Sequence, residues 1–217
     1  MKFLLTIALL FFTIELGAEV PGGDIFNYPL KPEDMGAFTT TCLRLAEHSF
    51  VTGKFEQERK ISRTGRSLKS AGNFVIAKDM GMVWDTVTPV AATITLGKDY
   101  IIQARPGRRR TLISAQGNET FLRTAEVLSM VFTGNAQGLL DNFEVFYFTN
   151  TAGWELGLYP KNSAIHSFAE RIIIKGDTVI KYIQLYEQSG DTIIYSLSNH
   201  SHPAELGAHE KAFFTLP

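Results

Sequence analysis

Cysteine is nearly absent from this sequence. The single Cys42 excludes an internal disulfide, and it lies too far past the N-terminal apolar run to be a lipid-bearing first residue. It sits among Phe38, Leu43 and Leu45, the setting of a buried structural thiol. Charge of one sign is lacking too. Lysine and arginine number 21 against 22 acidic residues, a formal net charge of -1, so no global basic field favours nucleic acid. There is no GxSxG elbow, no glycine-rich phosphate loop and no HExxH, and Ser198, Ser201 and Asp191 form no triad with nearby histidines. His200-x-His202 lacks a companion carboxylate at metal-ligand spacing. These absences leave neither catalysis nor a cofactor or metal to assign. No long internal repeat or low-complexity tract is present.

Long apolar runs are confined to the start. Lys2 is followed by the almost unbroken apolar stretch Phe3 to Ile14, and Leu16-Gly17-Ala18 offers a small residue for cleavage. Residues 1–18 therefore read as a secretory signal peptide, cleaved near Ala18, with a retained anchor as the alternative. Residues 19–217 are expected to form one domain in an exported, soluble protein.

What remains is strand pattern. Phe55 to Thr88 reads as three antiparallel strands carrying Phe55-x-Gln57, Gly72-x-Phe74-x-Ile76 and Trp84, with breaks at Thr64-Gly65 and Asp79-Met80-Gly81. Ala92, Ile94 and Leu96 share a face, Gly97-Lys98-Asp99 turns the chain, and Arg108 to Ile113 returns after Pro106-Gly107. Later, Phe143, Val145 and Tyr147 alternate, as do Trp154, Leu156 and Leu158. Ile172 and Ile174 alternate with Ile173 spoiling the pattern, and Ile193, Tyr195 and Leu197 alternate again. Asn199 to Ala208 reads as a loop and Phe213-Phe214 as a closing strand.

Two stretches carry helical spacing. One runs from a cap at Asp34 to about His48, with Ala37, Phe38, Thr41, Cys42 and Leu45 as its stripe. The other spans Asn118 to Gly134, with Phe121, Leu122, Ala125, Leu128, Met130, Val131 and Phe132, and Gly134 as its stop. The expected fold class is α+β, mainly β: one antiparallel sheet of about ten or eleven strands, which curls rather than staying flat. Two short helices would lie across its concave apolar surface. Either they leave a cavity for an apolar ligand or they plug it.

The ordered set Phe55-x-Gln57, Gly72-x-Phe74, Trp84 five residues before Pro89, and Gly97-Lys98-Asp99-Tyr100 resembles the periplasmic outer-membrane lipoprotein carrier family (LolA-like). Lys211 to Pro217 looks like that family's closing strand. The resemblance implies an incomplete antiparallel β-barrel with the helices as a lid over an apolar cavity, in a monomeric periplasmic chaperone that binds the acyl chains of lipoproteins there. Cargo would arrive from an inner-membrane ABC transporter and leave to an outer-membrane acceptor. A same-fold carrier of another amphiphile, such as a glycolipid, or a lipoprotein-sensing regulatory module is the alternative. Candidate lining residues on the sheet are Phe74, Ile76, Trp84, Ile94, Leu96, Trp154, Leu156 and Leu158, and on the lid Leu122, Leu128, Met130, Val131 and Phe132. Lys78, Met80 and Met82 are assigned to a lid or partner loop. Where the family tends to show a basic residue followed by proline, this chain has Lys78-Asp79, so Lys78 takes the place of the arginine that restrains the family's lid. Arg105, Arg108, Arg109 and Arg110 form either a solvated tip or a docking patch.

Overall fold

The structure, a computed structural model, describes residues 23–98, 100–114, 127 and 129–217. The strands are β1 (Phe50–Ile61), β2 (Arg66–Ala77), β3 (Gly81–Thr88), β4 (Ala92–Leu96), β5 (Tyr100–Ala104) and β6 (Thr111–Ser114). They continue as β7 (Phe143–Asn150), β8 (Gly153–Pro160), β9 (Ala169–Gly176), β10 (Ile180–Glu187) and β11 (Thr192–Ser201). All lie in one sheet of order β6-β5-β4-β3-β2-β1-β11-β10-β9-β8-β7. Every neighbouring pair is antiparallel. Among the described residues β6 and β7 do not pair, so the barrel stays open. The central seam is β1 against β11, with Phe55 opposite Leu197.

Alternation along each strand sorts residues to two faces. The inner face carries one continuous core that includes Phe55, Phe74, Ile76, Leu96, Leu156 and Ile174, packed against Phe38 and Cys42 of α1 (Met35–Ala46). The outer face is covered in two places. Ile25 and Phe26 pack on Phe146, Tyr159 and Ile173, which is why Ile173 is apolar where simple alternation expects a wet residue. At the other side Leu206 and Phe214 cover Val75, Ala77 and Val83. Residues 28–30 also hydrogen-bond the free side of β7, through Leu30 N–H to Val145 O and Tyr147 N–H to Tyr28 O, both 2.9 Å, so that edge is not left open.

Further helices are α2 (Ala136–Asn142), α3 (Ser163–His166) and α4 (Ala208–Phe213). The closing strand expected at Phe213-Phe214 is instead the end of α4. Its terminal carbonyls find donors on the sheet's outer face. Arg110 Nη2 reaches Phe213 O at 2.9 Å, Thr95 Oγ1 the same oxygen at 3.2 Å, and Tyr100 Oη reaches Phe214 O at 3.1 Å. Side chains thus satisfy the helix end that a strand ladder would otherwise serve. Arg110 is a capping residue and not part of a free basic patch. The loop expected from Asn199 is also shorter, because β11 continues to Ser201 and pairs it with Thr52. Gly81 is required where it stands: its φ is +123°, and a Cβ there would land on the backbone oxygen of Leu96.

One polar cluster ties the β1–β2 turn to the β10–β11 turn. Arg59 Nη2 lies 2.7 Å from Glu187 and 3.0 Å from Asp191, whose other oxygen accepts the Ser62 N–H at 3.1 Å. The Ser62 backbone N–H first, and then the Arg59 guanidinium, hold the Asp191 carboxyl below the usual carboxylate range. A depressed folded-state pKa contributes stability above the unfolded value, about pH 4, which is lost as pH falls through the folded value. The melting temperature is expected to fall below about pH 4. Asp191→Asn should lower it at neutral pH and flatten that acid limb, measured by circular dichroism melts across pH.

Candidate functional site

The site is assembled on the inner face by strand register. Phe74 on β2 stands opposite Trp84 on β3, which stands opposite Ile94 on β4; Met82 stands opposite both Ile76 and Leu96. On the other half of the sheet Leu156 faces Ile174 and Leu158 faces Ile172. Trp84 is the hub of an aromatic cluster. Its ring lies 5.7 Å from Phe55, 6.1 Å from Phe74, 5.6 Å from Tyr195 and 6.1 Å from Phe132 of the lid. Such centroid distances are those of packed aromatic pairs.

The two tryptophans differ in one respect. Trp154 Nε1 donates to Asp177 O at 2.7 Å. Trp84 Nε1 is buried with no hydrogen-bond partner among the described residues. A buried donor without an acceptor costs about 1–3 kcal/mol and calls for an explanation.

Two layers of helix cover this surface. α1 forms over Met35–Ala46 because Phe38 and Cys42 are one turn apart and both reach the core. Asp34 precedes it without making the expected side-chain cap bond. Beside it, Val127, Met130, Val131 and Phe132 are buried in helical conformation, followed by Leu139 of α2. Gly134 joins the two layers. Its φ is +61°, and an added Cβ would overlap the Cys42 carbonyl, 2.9 Å from its carbon. Only a residue without a side chain lets the chain pass this close beneath α1.

α1 is tied to the sheet by few polar contacts. The Tyr147 hydroxyl pairs with Thr41 Oγ1 at 2.7 Å and donates to Ala37 O at 3.3 Å. Lys78 Nζ donates to Ala46 O at 3.3 Å, at the C-terminal end of the helix, where a cation is favoured. This contact is exposed, so Lys78→Leu is expected to lower stability by less than about 1 kcal/mol while speeding exchange of α1. Thermal melts alongside thiol labelling of Cys42 check both parts. Cys42 is the chain's only cysteine and is buried at 3% exposure, with its pKa pushed up to about 11 by burial. It therefore reacts only when α1 lifts.

The mouth beside α1 carries imidazoles. The His48 ring stacks on His202 at 3.8 Å, and His200 packs edge-on against Phe74 at 5.6 Å. Burial lowers the pKa of His200 and His202.

Of the two alternatives, the inner face shows the plugged one: no open cavity lies beneath α1 among the described residues. One void of about 20 Å³ lies between Leu45, Phe74, Phe132 and His200, and one of about 10 Å³ between Phe38, Tyr147 and Leu156. Each has room for about one water. The lid side chains occupy the space instead.

The candidate residues separate accordingly. Phe74, Ile76, Leu96, Trp154, Leu156 and Leu158 are buried on the inner face with Met130, Val131 and Phe132 above them, and Trp84 packs against the same core. Ile94 shares the face but is 39% exposed, at its rim. Leu122 and Leu128 lie outside the described residues. Met82 is not a loop residue: it is inside β3 and 3% exposed, because strand alternation turns it into the core. Met80 packs on the outer-face cluster. Reading the sequence missed the Tyr147 hydroxyl tie and Gly134's close approach to α1, because neither a lone Tyr on an alternating strand nor a helix-stopping Gly names its distant partner.

The sequence matches the family described as outer membrane lipoprotein carrier protein LolA over residues 47–213. No curated protein matches it. Several solved structures are similar to it. One is a LolA superfamily protein from Nitrosomonas europaea, with TM-score 0.46 and 7% identity over 83% of this chain and 97% of that one. Another is a DUF1329 family protein from Desulfovibrio piger, with TM-score 0.46 and 10% identity over 83% and 96%. A third is the MucA/MucB complex of Pseudomonas aeruginosa, with TM-score 0.44 and 10% identity over 83% and 61%.

Proposed function

Because this chain belongs to the family of the outer membrane lipoprotein carrier protein LolA, we propose that it ferries lipoproteins across the periplasm by sheltering their acyl chains on the inner face of its sheet. In this reading residues 1–18 direct export and are removed. The remaining chain works as a monomer, receives cargo from an inner-membrane ABC transporter and hands it to an outer-membrane acceptor. No bond is made or broken and no cofactor takes part.

The observation that carries the reading is Trp84 Nε1, a buried donor without a partner among the described residues, set in an aromatic cluster with Phe55, Phe74, Tyr195 and Phe132 on the inner face. The ester and amide carbonyls at an acylated N-terminus are acceptors that arrive together with hydrocarbon. Entry needs α1 to lift, since the voids beneath it are water-sized. Each methylene then buried contributes about 0.8 kcal/mol. The lid's own residues compete for the same surface, so affinity is reduced by the fraction of closed molecules. That competition is also what lets a carrier let go: closing α1 regains its contacts as the chains leave.

The test is release of a lipoprotein from spheroplasts into the supernatant by added protein, followed by transfer to outer-membrane vesicles. Release that depends on the protein and on ATP is expected. Absence of release, with no acylated species co-purifying by mass spectrometry, would overturn it. Another lipid found bound in its place would identify a carrier of a different amphiphile.

A further inference from the structure

We propose that one end of the sheet is a docking surface for anionic membrane. Three hairpin turns fall side by side at that end: β1–β2, β3–β4 and β5–β6, because their strands are neighbours in the order β6-β5-β4-β3-β2-β1. The β5–β6 turn carries Arg105, Arg108 and Arg109, all exposed. The β1–β2 hairpin adds exposed Arg66. Among the described residues Arg66, Arg105, Arg108 and Arg109 form no ion pair. Between these two basic turns sits an apolar one. Val90 is 70% exposed and Val87 54%, with Leu68 at 57% on the neighbouring β2. Register sets the chemistries near one another: Thr93 pairs with Ala104, so Arg105 follows at the level of Ala92, two residues from Val90.

Exposed branched apolar side chains flanked by unpaired guanidiniums suit an anionic bilayer. The cations bind headgroups and the valines enter the interface. The whole chain has a formal net charge of -1, so attraction has to come from this local concentration and oriented docking follows. Arg110 is excluded from the surface, since it caps α4. The surface requires no cargo, so its test stands apart from that of the carrier reading.

The experiment is co-sedimentation of the purified protein with vesicles of phosphatidylcholine alone or mixed with phosphatidylglycerol, over a salt series. Binding only to the anionic vesicles, weakening as salt rises, is expected. Arg108→Ala with Arg109→Ala should lower the partition coefficient about twenty-five-fold, at about fivefold per arginine. Val90→Ser should weaken binding at every salt concentration. Lys31→Ala with Lys181→Ala removes the same charge elsewhere and should leave binding intact. Equal binding to both vesicles, or an equal loss in the lysine pair, overturns the proposal. So does retention on immobilised polyglutamate without vesicle binding, which would assign the surface to an acidic protein instead.

Discussion

Gly134→Ala is expected to destabilise the protein by about 2–4 kcal/mol and to loosen α1 more than the sheet. Two costs coincide at this residue. A φ of +61° is strained for alanine, and the methyl would overlap the Cys42 carbonyl in the middle of α1. The carbonyl belongs to a helical ladder and cannot yield without moving the helix. Cys42 itself reports the outcome, being buried at the same point of contact. Its labelling by a disulfide reagent should accelerate by at least about tenfold. If α1 competes with cargo for the inner face, the variant should also load more readily and deliver more slowly. Gly36→Ala is the opposing control. It lies in the same helix with open space around it, so alanine should stabilise α1 by about 0.5–1 kcal/mol and slow labelling. Unchanged Cys42 labelling in Gly134→Ala would show that the close approach does not hold the lid.

The parts of this fold that local pattern reveals are those where burial alternates with strand period. Phe74, Ile76 and Trp84 could be placed on one face because a strand exposes its partners at every second residue. Ile173 resisted that logic because residues from the chain's start cover the other face there. Phe213-Phe214 was misleading for a related reason: two adjacent aromatics define no period, and what decides for helix is a set of donors on β4, on β5 and just before β6 that lie more than a hundred residues away. The seam between β1 and β11 leaves no local trace, since such pairing is set by the whole sheet. The same limit applies to the site. Strand alternation places its apolar residues on one face, and the resemblance pointed to Lys78, whose Nζ meets Ala46 O at the end of α1. The filling of the interior was not legible, because a void's size depends on how closely Leu45 of α1 and Phe132 settle on Phe74, a matter of tenths of an ångström that composition does not encode.

The two tryptophans should respond oppositely to the same substitution. Trp154→Phe removes the donor to Asp177 O, leaving a carbonyl unpaired at the β9–β10 turn. It should cost about 1–3 kcal/mol in thermal or denaturant unfolding, with its effect on cargo following only from that loss. Trp84→Phe removes a donor that has no partner among the described residues. The relief of an unpaired N–H offsets the smaller ring's lost packing against Phe55, Phe74 and Phe132, so stability should stay within about 1 kcal/mol. Cargo retention should nevertheless drop by about tenfold, because a hydrogen bond to a carbonyl is lost where no water can replace it. The discriminating measurement is the rate at which a fluorescent acylated peptide leaves each variant, beside the unfolding curve of the empty form. Were Trp84→Phe to hold the peptide as long as the parent does, the indole N–H would have no part in recognition, and the acyl-binding surface would rest on hydrocarbon contact alone.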